Sequence, residues 1–231
     1  EQGKKDRICV NIPPRHGKSQ LVSIFFPAWF LGRNPNKKVM MVSHTTDLAV
    51  DFGRKVRNLI STDEYQAIFP TVQLASDSKS AGRWNTNSGG EYYACGIGSS
   101  IAGRGADLLL VDDPHSEQDV INGNFGVFEK AYEWFTYGAR TRLMPGGRVA
   151  IIQTRWHMDD LTGRVTKDMG QNEKADQYEV VEFPAILDTI NKKTKKSEQK
   201  PLWPEFFDLE ALLRTKASMP VFQWSAQYQQ E

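Results

Sequence analysis

The 231-residue chain is 39% hydrophobic and 25% charged, with 29 basic against 28 acidic residues, a balance that gives no general pull toward a polyanion. No apolar stretch reaches the roughly 18 residues that span a bilayer, and the amino terminus lacks a charged-then-apolar leader, so a membrane helix is excluded and an intracellular setting is expected. Cys9 and Cys95 are expected as buried thiols rather than a disulfide, and His16, His44, His115 and His157 lack the spacing of a zinc site.

The chain starts at Glu1 rather than Met, which predicts a fragment without its amino-terminal part. RICVNI (7–12) reads as a short strand leading straight into NIPPRHGKS (11–19). SQLVSIFFPAWFLG (19–32) predicts a helix kinked at Pro27, KKVMMVS (37–43) a strand, and TDLAVDFGRKVRNLIS (46–61) a helix with Thr46 or Asp47 near its cap. After an irregular region with strand character at GGEYYACG (89–96), ADLLLVDDP (106–114) is a continuous apolar run ending in two aspartates, the pattern of a strand buried on both faces. FGVFEKAYEWFTYGARTRL (125–143) predicts one long helix whose aromatics serve the core rather than stack bases. GRVAIIQT (147–154) predicts a buried strand, HMDDLTGRVTKD (157–168) a helix and QYEVVEF (177–183) a last strand. Past Pro184, segment 188–200 predicts a flexible loop in which Lys192, Lys193, Lys195, Lys196 and Lys200 form a solvated basic stretch. FFDLEALLRTKA (206–217) then predicts a helix, followed by the aromatic-dotted tail VFQWSAQYQQE (221–231). This alternation predicts an α/β fold with a mostly parallel central sheet flanked by helices.

A loop between a strand and a helix binds phosphate because backbone N–H groups converge there and the helix dipole favours anions. In such a loop Pro14, Arg15, His16 and Gly17 would line the phosphates. Gly17 lets the backbone approach, Lys18 reaches the β and γ phosphates of ATP, and Ser19 offers a hydroxyl to Mg²⁺. Ile12 stands where these loops carry their first glycine; Pro13 and Pro14 can stiffen the entry instead. Asp112, closing LLLV, is placed to hold the Mg²⁺ shell, and Asp113 follows at the position of the acid that polarises the attacking water, with Glu117 as a second candidate. Gln153 and Thr154 stand at the tip of the strand expected beside the Asp112 strand, where a polar residue can sense the γ phosphate. Arg15 within the loop and Arg104 in SSIAGRGAD are alternative cations for the transition state, and Arg155 is a third arginine near the site.

With these residues the chain resembles the ATPase domain of the large terminase subunit of tailed bacteriophages, the motor that packages DNA into procapsids. The matching pieces are PPRHGKS as a deviant Walker A, LLLVDDPH as Walker B, SIAGRGAD ahead of it and IIQTRWHMDDLTGR as the coupling segment, over about residues 7–168; FQWSAQYQQE resembles the segment leading into a second domain. The resemblance implies a RecA-like P-loop NTPase of the additional-strand catalytic-acid class that hydrolyses ATP with Mg²⁺. It implies a two-domain protein: 1–184 as the ATPase core, and 185–231 as a basic loop and helical tail leading toward a carboxy-terminal nuclease outside this chain. It further implies translocation of double-stranded DNA in the host cytoplasm by a homo-oligomeric ring docked on the portal protein of the procapsid, together with the small terminase subunit and without a membrane. In that ring one subunit's arginine completes its neighbour's site, with Arg104 as the candidate. The segment before the first strand, which in such motors helps hold adenine, is largely absent, which predicts weak nucleotide affinity.

Two departures stand out: Asp113 replaces the expected glutamate, and Arg15 lies three residues before Lys18 where some relatives place it four before. Two other functions remain open: a helicase-type DNA translocase, which needs a second RecA-like half in the same polypeptide, and a non-hydrolysing interaction module.

Overall fold

In the computed structural model, which describes residues 5–78, 80–190, 195 and 197–231, the apolar runs become β1 (Arg7–Asn11), β2 (Lys38–Ser43), β3 (Arg83–Asn85), β4 (Glu91–Gly96), β5 (Ala106–Asp112), β6 (Leu143–Gln153) and β7 (Glu179–Glu182). They form one sheet in the order β3-β4-β2-β5-β6-β1-β7, parallel throughout except for the edge strand β3. β6 inserts between β1 and β5, setting Cys9 against Ile151 and Leu110 against Ala150. This is the additional strand that the sequence leads one to expect. It brings the carboxyl ends of β1, β5 and β6 to one edge, where open α/β sheets bind ligands.

Side chains alternate across the strands, so each apolar run serves two cores. On one face α1 (Phe26–Arg33), α2 (Thr46–Ile60) and α3 (Asp63–Ile68) pack with Met41, Leu108 and Leu110. After β5 a short α4 (Glu117–Ile121) leads to α5 (Gly126–Glu133), whose continuation through Phe135 and Ala139 packs with α6 (Leu161–Gln171) on Met40, Leu109 and Val111 of the other face. Cys9 and Cys95 lie in this second core as free, buried thiols, and burial pushes both up to about 12. No described helix is long and apolar enough to cross a membrane.

Several boundaries differ from the sequence expectation, each for a local reason. The helix after the loop opens with wide π-helical turns over Gln20–Phe25 and continues without a break into α1, with Pro27 at the junction, where it lacks an N–H for the carbonyls of the preceding turn. The cap of α2 is Thr45, whose hydroxyl accepts from Leu48 N at 3.3 Å, rather than Thr46 or Asp47. The expected helix 125–143 divides into α5, wide turns over Trp134–Ala139 and a tight turn at Arg140–Arg142, after which β6 begins earlier than expected, at Leu143. α6 starts at Leu161 because Asp160 caps it, accepting from Gly163 N, so His157 to Asp159 are loop.

The largest correction concerns 188–200. Its described residues fall largely in β8 (Ile186–Ile190) and β9 (Ser197–Pro201), which pair antiparallel with Ile186 opposite Pro201. Lys200 lies on β9; Lys192, Lys193 and Lys196 fall outside the described residues. α7 (Leu209–Ala217), α8 (Val221–Trp224) and the turns to Gln229 close on Ala185, Ile186, Leu212 and Trp224 as a small third core. Ala185 N donates to Tyr228 O at 2.6 Å, folding the carboxyl end back over the end of the sheet.

Trp84 ties the antiparallel edge to α2. It is 1% exposed, stacks on Tyr92 at 4.8 Å, and donates its indole N–H to Gly53 O. Trp84→Ala is expected to cost about 3–5 kcal/mol of unfolding free energy, read by urea denaturation.

Candidate functional site

The phosphate loop is built by extending β1. Ile12 N donates to Gln153 O at 3.1 Å and Ile12 O accepts from the Thr154 hydroxyl at 3.3 Å, so the residue in the place of the first glycine is a buried continuation of the ladder. The loop then turns through left-handed backbone at Arg15 (φ 63°) and Gly17 (φ 81°), the kind of alternation that gathers N–H groups into an anion-binding concavity. His16 Nδ1 donates to Pro14 O at 2.8 Å, and its ring is buried against Phe207. Burial holds its imidazole below the ordinary range, the Pro14 carbonyl opposing this and Lys18 adding to it. His16 therefore braces the loop as a neutral side chain rather than adding a charge. Pro14 lines the cleft beside the loop, and Arg15 is exposed at its rim.

Asp112 and Asp113 end β5 in different environments. Asp112 is 1% exposed; the Ser23 hydroxyl donates to its Oδ2 at 2.6 Å, while Oδ1 has no hydrogen-bond partner among the described residues. Burial raises its carboxyl above the ordinary carboxylate range and Asp113 adds to this, with Ser23, Lys18 and the Ser19 hydroxyl opposing them. A buried carboxylate with one bare oxygen, close to the Ser19 hydroxyl, fits a hard divalent cation. Asp113 adopts a left-handed φ of 42° and is held on every side. Its Oδ2 pairs with Lys18 Nζ at 2.8 Å, its Oδ1 accepts from Thr154 N at 3.0 Å, and its carbonyl accepts from both His44 N and His44 Nδ1. Such strain persists where its surroundings over-determine the conformation, as they do at functional sites.

These groups open onto a cleft of about 610 Å³ whose walls include Pro14, Lys18, His44, Asp113, Glu117 and Thr154, with Met219, Gln227 and Tyr228 from the carboxyl end of the chain. Thr154 thus reaches the cleft; Gln153 does not. Its side chain is fully buried on the opposite face, both amide atoms without a hydrogen-bond partner among the described residues. The structure therefore assigns the strand-tip position to Thr154 alone.

The two remaining arginines are paired elsewhere. Arg155 Nε binds the buried carboxylate of Asp160 at 2.8 Å, and Trp156 N donates to the same oxygen, so this pair shapes the loop between β6 and α6. Arg104 lies over the Tyr93 ring at 4.6 Å and pairs with Glu91 at 3.1 Å. Glu91 begins β4 and Arg104 precedes β5, so this arginine sits at the amino edge of the sheet, opposite its own phosphate loop. Sequence reasoning missed Ser23, His44, His115 and Asp160 as site builders. Ser23 carried a usable signal, lying four residues after Ser19 and hence on the same side of the following helix. His44 carried another, as a polar residue closing an apolar strand.

Residues 9–224 match the family model described as terminase large subunit, T4likevirus-type, N-terminal. Solved structures sharing the fold include the HK97 bacteriophage large terminase, with a TM-score of 0.54 and 16% identity over 98% of this chain and 46% of that one. The Thermus phage P74-26 large terminase ATPase domain matches with a TM-score of 0.57 and 14% identity over 100% and 90%. The large terminase from the thermophilic bacteriophage D6E in complex with ATP-gamma-S matches with a TM-score of 0.54 and 10% identity over 96% and 46%. The chain thus spans less than half of the HK97 and D6E proteins. No curated protein matches it by sequence.

His115 follows the aspartate pair and is 4% exposed; its Nε2 accepts from Leu161 N at 2.9 Å, joining the end of β5 to the start of α6. Burial lowers its imidazole from 6.5 to about 4, against the pull of Asp160, Asp113 and Asp119. Between those values the unfolded chain binds a proton that the folded chain does not. Stability is therefore full above this window and falls as the pH drops through it, by a total on the order of 3 kcal/mol. His115→Gln is expected to remove close to one proton from the pH dependence of unfolding, read from urea midpoints between about pH 7 and about pH 5.

Proposed function

The chain belongs to the terminase large subunit family, T4likevirus-type, as its N-terminal domain, and on that premise we propose that it hydrolyses ATP to drive double-stranded DNA into a procapsid. The observation that carries the proposal is the Lys18–Asp113 pair at 2.8 Å beside Asp112, a buried carboxylate with one bare oxygen. A loop lysine, the acid paired with it and an acid suited to a cation stand together at the carboxyl edge of a parallel sheet, which is the minimum equipment for phosphoryl transfer to water.

ATP would lie with its phosphates on the Pro14–Ser19 loop. Ser19 and Asp112 would hold Mg²⁺, which supplies neutralising charge to the phosphate oxygens when bound. Lys18 turns from Asp113 to the phosphates, and the released Asp113 carboxylate takes a proton from the attacking water as the water oxygen bonds the γ phosphorus and the bond from that phosphorus to the β-phosphate oxygen breaks, ADP leaving, while Thr154 N–H keeps the other Asp113 oxygen in place. Thr154, on the cleft wall, is the residue positioned to report the γ phosphate; Gln153 has no part in this scheme. Arg15, exposed on the loop, is the cation available in cis. Arg104 stands at the far edge of its own sheet, a position that suits donation to a neighbouring subunit, so it serves as the trans candidate.

We extend the same reading to the whole protein. The domain works as a homo-oligomeric ring on the portal of the procapsid, in the host cytoplasm, with double-stranded DNA and the small terminase subunit as partners and a carboxy-terminal nuclease as the second domain of the whole protein. Within that arrangement residues 1–184 form the motor core, and the hairpin and helices of 185–231 lead toward the nuclease.

Lys18→Ala and Asp112→Ala are each expected to lower ATP turnover by about 100-fold or more. The measurement is steady-state hydrolysis by the full-length protein with procapsids and DNA, and parental rates in both variants would sink the proposal. Mixing Arg104→Ala subunits with Lys18→Ala subunits is expected to restore part of the rate, since some interfaces then join an intact loop to an intact arginine. Uniform inactivity in an assembly shown to be oligomeric would count against the trans role.

A further inference from the structure

A row of four rings leads outward from the phosphate loop. His16 stacks on Phe207 with centroids 4.9 Å apart, Phe207 meets Phe206 edge to face at 4.9 Å, and Phe206 stacks on Trp203 at 4.9 Å with planes 24° apart. The row bends back on the loop, since a Cβ placed on Gly17 would stand 3.9 Å from Trp203 Cζ3. A tight turn fixes the arrangement, with Phe206 N and Phe207 N both donating to Trp203 O. His16 is 7% exposed, whereas Trp203 and Phe206 leave 41% and 59% of their surface open beside the loop.

What sets these two rings apart from other exposed apolar side chains is their place, stacked on each other and open beside the backbone of a glycine in the phosphate loop. We propose that Trp203 and Phe206 form the stacking platform for the base of the nucleotide whose phosphates occupy the loop. The proposal rests on the nucleotide site argued above. The polar cleft with Asp113, His44 and Thr154 lies on the Lys18 side, and Trp203 is not among the residues lining it. A triphosphate whose γ end enters the cleft leaves its ribose and base to the other side of Gly17, where the exposed rings stand. A flat π-face stacks on an aromatic ring whatever its hydrogen-bonding edge, so the platform supplies affinity rather than base selection. The ligand class is therefore a nucleoside triphosphate, and the loop phosphates and the base are held by two parts of the chain about 190 residues apart, joined by the His16–Phe207 stack.

The test compares MgATP with magnesium tripolyphosphate, which keeps the phosphates and lacks the base, by calorimetric titration of the full chain. Trp203→Ala is expected to raise the Kd of ATP about tenfold and to change that of tripolyphosphate by less than about twofold, with Trp203→Phe close to the parent for both. An unchanged ATP Kd in Trp203→Ala, or equal weakening of the two ligands, overturns the platform. Lys18→Ala separates this from the premise. If it weakens both ligands while Trp203→Ala weakens neither, the platform alone fails; if it weakens neither ligand, the nucleotide site fails and the platform with it.

Discussion

The fixing of Asp113 is the constraint on which the rest of the site depends. Its amide donates to Ile152 O, its carbonyl is held by His44 from the end of β2, one carboxylate oxygen by Thr154 from the end of β6, and the other by Lys18 from the loop after β1. Four strand ends therefore meet at one residue in a left-handed conformation that costs about 1–3 kcal/mol to hold. Only the order β2-β5-β6-β1 brings those ends together, so strand order, more than any single contact, makes the chemistry possible.

Several buried polar atoms near this junction lack partners. Asp112 Oδ1, His115 Nδ1 and both amide atoms of Gln153 are without hydrogen-bond partners among the described residues. Unsatisfied groups of this kind cost about 1–3 kcal/mol each and are scarce in ordinary cores. The bare Asp112 oxygen, with the strained φ values of Arg15 and Asp113, marks an edge shaped for a bound group at the expense of stability.

What the sequence discloses about this site follows from which signals are local. Gly17-Lys18-Ser19 and the Asp112–Asp113 pair are legible because each combines residue type with a position at the end of an apolar run, and the structure places both at the same edge. Gln153 misleads because neighbouring strand residues face opposite ways, so only one residue of the Gln153–Thr154 pair could reach the cleft, and one sequence does not say which. The β8–β9 hairpin is hidden by its lysines and threonines, which satisfy a solvated hairpin as well as a loop; its fixed point, Ile186 in the third core, depends on residues some forty positions away. α6 starts at Leu161 rather than His157 because Asp160, buried beside Arg155, caps it, and that burial is not legible in the sequence. The glycine-flanked stretch around Arg104 gives no sign of a partner, and Glu91, the residue that pairs with it, becomes its neighbour only through the β2–β4–β5 register.

The two cysteines have a practical consequence. Thiolate is the reactive form of cysteine, and burial keeps Cys9 and Cys95 protonated far above neutral pH. Because these are the chain's whole complement of thiols, the native fold is chemically silent toward maleimides and similar labels. A single surface cysteine introduced on the β8–β9 hairpin or on α7 would therefore carry a fluorophore alone, and the carboxyl-terminal strap could be followed by spectroscopy without altering a core residue.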